Sequence, residues 1–280
     1  MSKSSKPERL PVRKTYKLYI GGAFPRSESG RSYPVTAPSG EVVHAAQASR
    51  KDVRDAVVAA RSAFGKWSTM TAYNRGQILY RIAEMLEGRR EQFGAYTDTA
   101  EVDAAIDRWV HYAGWADKYA QIVGGTNPVA GPYFTFSLPE PTGVVGVLAP
   151  QESSLLGLVS VLAPVLATGN TAVVISSQDK PLPAVSLAEV LDTSDLPGGV
   201  VNLLTGFTGE LAPWLAAHRD VNAIDLTGAA PGARADLQAA AADNVKRVYV
   251  PRSTDWTEAP GLSRINAFVE TKTVWHPIGV

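Results

Sequence analysis

Between Pro141 and Val250, short runs of β-branched apolar residues alternate with longer segments whose apolar positions recur every three or four residues. The runs are Val144–Leu148, Ala172–Ile175, Val200–Leu204, Ala223–Leu226 and Val245–Val250. Between them lie Leu155–Ala167, Leu182–Leu191, Glu210–His218 and Ala233–Ala242. A short apolar run bounded by turn residues predicts a strand buried on both faces, and the longer period predicts a helix. Strands separated by helices need crossover connections, so these strands are expected to be parallel, with helices on both faces. The pattern therefore predicts an α/β fold with a doubly wound parallel, Rossmann-like core over residues 141–250.

Ahead of the core, residues 18–131 predict short strands followed by helices. Tyr16–Gly22 and Arg31–Val43, with Pro34, Pro38 and Gly40, have the punctuation of strands and turns. Ser49-Arg50-Lys51-Asp52 has the form of a capping box, and Val53, Ala56, Val57, Ala60, Phe64 and Trp67 then trace one helical face. Ile78, Ile82, Met85 and Leu86 repeat the pattern. So do Val102, Ile106, Trp109, Ala113 and Ala116, in a helix expected to run to Gly124-Gly125. Trp109, Tyr112 and Trp115 sit at helical spacing and are expected in the core rather than on a stacking surface. Asp98, Glu101, Asp103 and Asp107 are expected to form a solvated helix face. Tyr133–Leu138 and the segment from Phe268 to Trp275 alternate in character. Residues 132–140 and 263–280 are thus expected to pair in a small β-ribbon, with 251–262 as a Pro-, Ser- and Thr-rich linker.

Composition narrows the chemistry. Of 280 residues, 45% are hydrophobic and 19% charged, and 27 Lys and Arg balance 27 Asp and Glu, so no global field would hold nucleic acid or an anionic membrane. Residues 1–17 carry Lys3, Lys6, Arg9, Arg13, Lys14 and Lys17 against Glu8 and are expected to be a flexible basic tail. This N-terminus has no apolar signal-like region, and the expected location is cytoplasmic. The uncharged stretch Ser153–Gln178 is split by Thr168-Gly169-Asn170-Thr171 into pieces too short to span a bilayer. With no cysteine there is no disulfide, thiolate metal site or thiol nucleophile. His44, His111, His218 and His276 are scattered, with no pair at metal-ligand spacing, and there is no Gly-x-Ser-x-Gly elbow or Walker loop. Gly206 and Gly209 in LTGFTGE, and Gly228 ahead of the next helix, lie where backbone N–H groups could face an anion.

Several segments resemble the aldehyde dehydrogenase superfamily. LYIGGAFPRSESGRSYPVTAPSGEVV is similar to its N-terminal strands, and AVVAARSAFGKWSTMTAYNRGQILYRIAEMLE to the helices that follow. PTGVVGVLAP, LAPVLATGNTAVV, LPGGVVNLLTG and DVNAIDLTG resemble its cofactor domain, and ETKTVW its C-terminal oligomerisation strand. The family's catalytic domain lies between those last two parts; here only Pro251–Leu262 stands there. The departures fall on working residues. Glu152 occupies the place of the family's oxyanion-holding Asn, where a carboxylate would repel developing negative charge. Ser176-Ser177-Gln178-Asp179 replaces the Lys-Pro-x-Glu motif that holds the adenosine ribose; Asp179 retains acceptors for its hydroxyls, but the ammonium is gone. Leu226-Thr227-Gly228-Ala229 loses a hydroxyl near the pyrophosphate, and Pro251 stands near the place of the general base.

The resemblance implies a catalytically deficient subunit that assembles with, and stabilises or regulates, a full-length aldehyde dehydrogenase, or that self-associates. Asp179, Gly206, Gly209 and Gly228 would be vestigial cofactor residues, with NAD bound weakly or not detectably and no catalytic or metal-ligating residue. Two other readings are a dehydrogenase active only within a complex and a nucleotide-binding sensor. Residues 132–140 and 263–280 would be the oligomerisation strands, with Asn266–His276 expected to be an interface strand presenting Phe268, Val269 and Trp275.

Overall fold

The computed structural model describes Leu10, residues 12–251 and residues 255–279. Its centre is a five-stranded parallel sheet made of β5 (Val144–Leu148), β6 (Thr171–Ile175), β7 (Val201–Leu204), β8 (Ala223–Asp225) and β9 (Arg247–Tyr249). The spatial order is β7-β6-β5-β8-β9, so the chain starts at the middle strand, winds outward one way and then returns to wind outward the other way. The crossovers are α6 (Leu156–Ala167), α7 (Leu182–Asp192), α8 (Thr208–Ala217) and α9 (Arg234–Ala242). Successive strand residues serve opposite faces, as a period of two requires. Val145, Val147, Ala172 and Val174 pack on the side of α6 and α7, while Val144, Leu148, Val173 and Ile175 face α8 and α9. Every residue of α6 is buried, which accounts for its unbroken apolar sequence.

The N-terminal elements extend these layers. β1 (Ser32–Thr36) and β2 (Val42–Ala46) form an antiparallel hairpin. α1 (Arg50–Ser68) packs on the α8 side, with the expected capping box at Ser49 and Asp52. α2 (Ala72–Glu87), α3 (Arg90–Gly94) and α4 (Thr99–Trp115) pack on the α6 side, where Trp109 and Tyr112 are fully buried and Trp115 partly so. The helix expected to reach Gly124 stops at Trp115, and a separate turn, α5 (Tyr119–Val123), covers the remainder. The fifth strand is shorter than its apolar run because Val245 takes a left-handed φ of 58° and stands exposed.

Of the basic tail, residues 1–9 and 11 lie outside the described residues. Leu10 and Val12 are exposed, but from Lys14 onward the stretch is anchored, which corrects the expectation of a free tail to residue 17. Lys14 pairs with Glu189 of α7 at 2.8 Å, and the carbonyl of buried Tyr16 accepts from the Ala46 N–H at 2.9 Å. Tyr19 then exchanges two backbone hydrogen bonds with Leu203, sealing the β7 edge of the sheet.

The second sheet contains β3 (Gly125–Thr126), β4 (Tyr133–Pro141) and β10 (Val269–Pro277), in the order β10-β4-β3. β10 follows the short helix α10 (Ser263–Ala267) and pairs with β4 along its length, from Val269 opposite Pro141 to Pro277 opposite Tyr133. Phe268 and Val269, expected at an interface, belong to the core instead. Asn170 holds the turn there: its Nδ2 donates to the Phe268 carbonyl and its Oδ1 accepts from the Gly143 N–H, each at 2.8 Å. The Arg247–Glu270 ion pair, at 2.5 Å, joins β9 to β10.

Candidate active-site crevice

Parallel strands bring all their carboxyl ends to one edge of the sheet, and the crevice opens where the connections diverge to opposite faces. Here that point lies between β5 and β8. The crevice encloses about 580 Å³. One wall carries Gln151 and Glu152 after β5, with Gln178 and Asp179 after β6; the other carries Thr227, Gly228 and Arg234 on the way into α9. Thr208 and Gly209 open α8 between them, and Ala212, Pro213 and Leu237 supply an apolar lining.

Gln178 sits where an anion would be received. Its Oε1 accepts from the N–H of Thr208, the first residue of α8, at 3.3 Å. Its own N–H donates to Gln151 Oε1 at 2.9 Å, and Gln151 Nε2 donates to the Ala149 carbonyl at 3.0 Å. A side-chain amide therefore occupies a helix N-terminal donor that elsewhere would meet a phosphate. Gly228 lines the crevice, but its N–H donates to the Leu148 carbonyl at 2.9 Å. A Cβ at position 228 would collide with the Ala149 carbonyl, so glycine is required there by the close approach of two loops. Gly206, at φ 143°, is packed against Ala48 and stands outside the crevice walls. Gly209 is open in the first turn of α8. Asp179 is exposed, on a rim shared with a neighbouring cavity of about 350 Å³ that also touches Glu101 and Lys180. Ser176 is fully buried, its hydroxyl donating to the Ser177 carbonyl at 3.3 Å.

Two crevice atoms were not singled out from the sequence. Thr208 Oγ1 and Arg234 Nε are buried with no hydrogen-bond partner among the described residues. Their sequence signal is weak, a threonine and an arginine in first helical turns.

In the acidic group expected to be solvated, Asp98 and Asp107 are exposed, and Glu101 is the clear departure. Glu101 is half-buried, and its carboxylate accepts from the N–H groups of Leu155 and Leu156 at 3.2 and 3.1 Å, from Ser153 Oγ at 2.8 Å and from Thr97 Oγ1. It caps α6 from another helix. Burial pushes its pKa up, but the bonds from Thr97, Ser153, Leu156 and Leu155 outweigh this and hold it below the usual carboxylate range. Asp103 is paired with Arg90 at 2.5 Å.

Segment 255–264 lies beside the crevice mouth. Arg264 donates to Asp225 Oδ2 at 2.7 Å and to Thr227 Oγ1 at 3.2 Å, and stacks on Tyr249 and Trp256. Burial pushes the Asp225 carboxyl up, against the opposing pull of Arg264 and Thr227. Trp256 Nε1 donates to Glu152 Oε1 at 3.4 Å. Among the described residues there is no cluster of three or more His, Asp or Glu able to hold a metal, and no helix is long and apolar enough to cross a membrane.

The sequence profile of the aldehyde dehydrogenase family matches residues 24–251. Aldehyde dehydrogenase family 2 member B4, mitochondrial, from Arabidopsis thaliana is 36% identical over 246 residues, covering 82% of this chain and 45% of that protein. HpcC from Thermus thermophilus superposes with a TM-score of 0.78 at 33% identity, covering 84% of this chain and 47% of that one. An aldehyde dehydrogenase from Bacillus cereus in its NAD+ complex superposes with a TM-score of 0.76 at 29% identity, covering 84% and 50%. The chain spans about half the length of the curated relatives it matches.

Proposed function

The chain belongs to the aldehyde dehydrogenase family, and from that premise we propose that it is a catalytically deficient subunit that assembles with a full-length relative, or with a second copy of itself, and stabilises or regulates the assembly. Oxidising an aldehyde by the nucleophilic route needs a group to attack the carbonyl, a cofactor to take hydride and a base to activate water. This chain has no cysteine, and the crevice mouth presents Glu152 and Pro251. The Gln178 amide on the first turn of α8 and the inward-facing Ser176 support weak NAD binding at most.

The observation that carries the assembly reading is the outer surface of the β-ribbon. The register puts Phe134, Phe136 and Leu138 on one face with Val274 and His276. Phe134 and Leu138 are 48% and 47% exposed, and Trp275 on the opposite face is 58% exposed. A partner adding a strand or a sheet face there would satisfy both apolar side chains and edge backbone groups.

The test is co-expression with a tagged full-length aldehyde dehydrogenase from the same organism, together with light scattering of the purified chain. Association should be lost in a Phe134→Lys, Leu138→Lys double variant whose melting curve is unchanged. A monomer at micromolar concentration that captures no such relative would defeat the assembly reading, and turnover of aldehyde by the purified chain would defeat the deficiency. A second reading, a nucleotide-binding sensor, is favoured by the unpartnered Thr208 Oγ1 and Arg234 Nε. Calorimetry with NAD and NADH separates the two.

A further inference from the structure

Next to the crevice, a separate cavity of about 150 Å³ lies between α4, α6, the end of β9 and segment 255–264. Arg108 and Tyr112 reach it from α4, Ser160 from α6, and Trp256 and Arg264 from the C-terminal segment. Two groups in its wall lack the partners that burial ordinarily demands.

The first is a charge. Arg108 is only 9% exposed, and its hydrogen bonds among the described residues go to neutral oxygens: Ser160 Oγ at 2.6 Å, the Trp256 carbonyl at 2.8 Å and the Glu258 carbonyl at 3.1 Å. Arg264, equally buried, has a carboxylate of its own in Asp225. Two buried guanidinium groups therefore share one buried counter-ion, and the excess charge rests on Arg108. Burial lowers the Arg108 pKa and the like charge of Arg264 lowers it further, with Tyr112 opposing. Buried charges are ordinarily paired, because leaving one uncompensated is costly. Asp255 and Glu258 also line the cavity, but both are exposed, and Asp255 Oδ1 is taken up by the Thr257 N–H and hydroxyl.

The second is a hydroxyl. Tyr112 is fully buried, and its OH has no partner among the described residues. Burial pushes its pKa up to about 12, against the pull of Arg108 and Arg264, so at neutral pH it remains a proton donor. An unused donor and an unneutralised cation on one small cavity call for the same kind of occupant.

We propose that this cavity binds a small oxyanion, a carboxylate or a phosphate, with Arg108 as its counter-ion and the Tyr112 hydroxyl as a hydrogen-bond donor. About 150 Å³ suits an ion the size of acetate or inorganic phosphate and leaves no room for a nucleotide. The site is distinct from the crevice and independent of the assembly reading. Occupation would tie segment 255–264 to α4 and α6, because Arg108 already holds the carbonyls of that segment.

The experiment is thermal unfolding of the full chain in sodium acetate, sodium phosphate and sodium chloride at matched ionic strength and neutral pH. Acetate or phosphate should raise the midpoint saturably while chloride does not. Saturation by only one identifies the carboxylate or the phosphate source, and saturation by both identifies the shared oxyanion chemistry. Tyr112→Phe removes only an unpartnered hydroxyl, so it should fold normally and weaken apparent affinity about tenfold. Arg108→Met should abolish the effect; because it also releases segment 255–264, Tyr112→Phe is the deciding variant. Equal responses to all three salts, or equal oxyanion responses in wild type and Tyr112→Phe, would overturn the proposal.

Discussion

Replacing Glu101 tests whether a carboxylate on one helix holds the start of another. In Glu101→Ala the N–H groups of Leu155 and Leu156 and the hydroxyl of Ser153 lose their shared acceptor at the head of α6. Hydrogen bonds to a charged group contribute about 1.5–3 kcal/mol each at most, and a carboxylate at a helix N-terminus about 0.3–2 kcal/mol. These contributions are not additive, and water reaches the half-buried site, so the expected loss is about 2–3 kcal/mol, slightly above the range for removing an N-cap. At about 2–4 °C per kcal/mol for a chain of this size, the melting midpoint should fall by roughly 4–12 °C. Glu101→Gln keeps one acceptor oxygen but no charge and should lose about half as much. The sign of the pH dependence follows from a folded pKa held below the ordinary value. Stability from Glu101 is fully present above the unfolded pKa of about 4.3 and is lost as pH falls through the lower folded value. Urea unfolding of wild type and both variants should therefore give a constant difference from pH 7 to about 5 that shrinks below pH 4. A Glu101→Ala variant within about 0.5 kcal/mol of wild type at pH 7 would refute the cross-helix cap.

The glycines separate packing from conformational freedom. Gly228→Ala, which forces a Cβ against the Ala149 carbonyl, should lose about 3 kcal/mol or fail to fold, whereas Gly209→Ala, in an open helical position, should gain up to about 1 kcal/mol in the same melt. Removing Asp225 alone should cost about 3–5 kcal/mol by stranding Arg264, while an Asp225→Leu, Arg264→Met double variant should recover most of that; additive losses in the double-mutant cycle would argue against the pair. NAD titrated calorimetrically into the intact chain should bind weakly or not detectably, since each lost charge-assisted contact weakens affinity about ten- to a hundredfold; a micromolar dissociation constant would count against the occupied α8 N-terminus. Truncation after Ser263 should destabilise the whole chain, because it removes Phe268 and Val269 from the core, whereas truncation after Glu270 should remove only ribbon contacts.

Local pattern was enough to specify the parallel sheet, its crossovers, the α1 capping box and the core helix carrying Trp109 and Tyr112. Each rests on a period of two or of three to four within one segment, and burial of apolar side chains enforces that period directly. The pairing of the alternating segments at Tyr133 and Val269 was legible for the same reason. The positions that shape the sites were decided only in three dimensions. Glu101 has the same sequence context as its acidic neighbours, yet it alone meets the α6 N-terminus, 54 residues along the chain. The Gln178 side chain against the N-terminus of α8, Asp225 against Arg264, and the unmatched charge of Arg108 likewise depend on which ends the sheet brings together. A polar side chain has no period. Its role is set by the partner that burial leaves within hydrogen-bond reach, and that partner lies in another element of the fold.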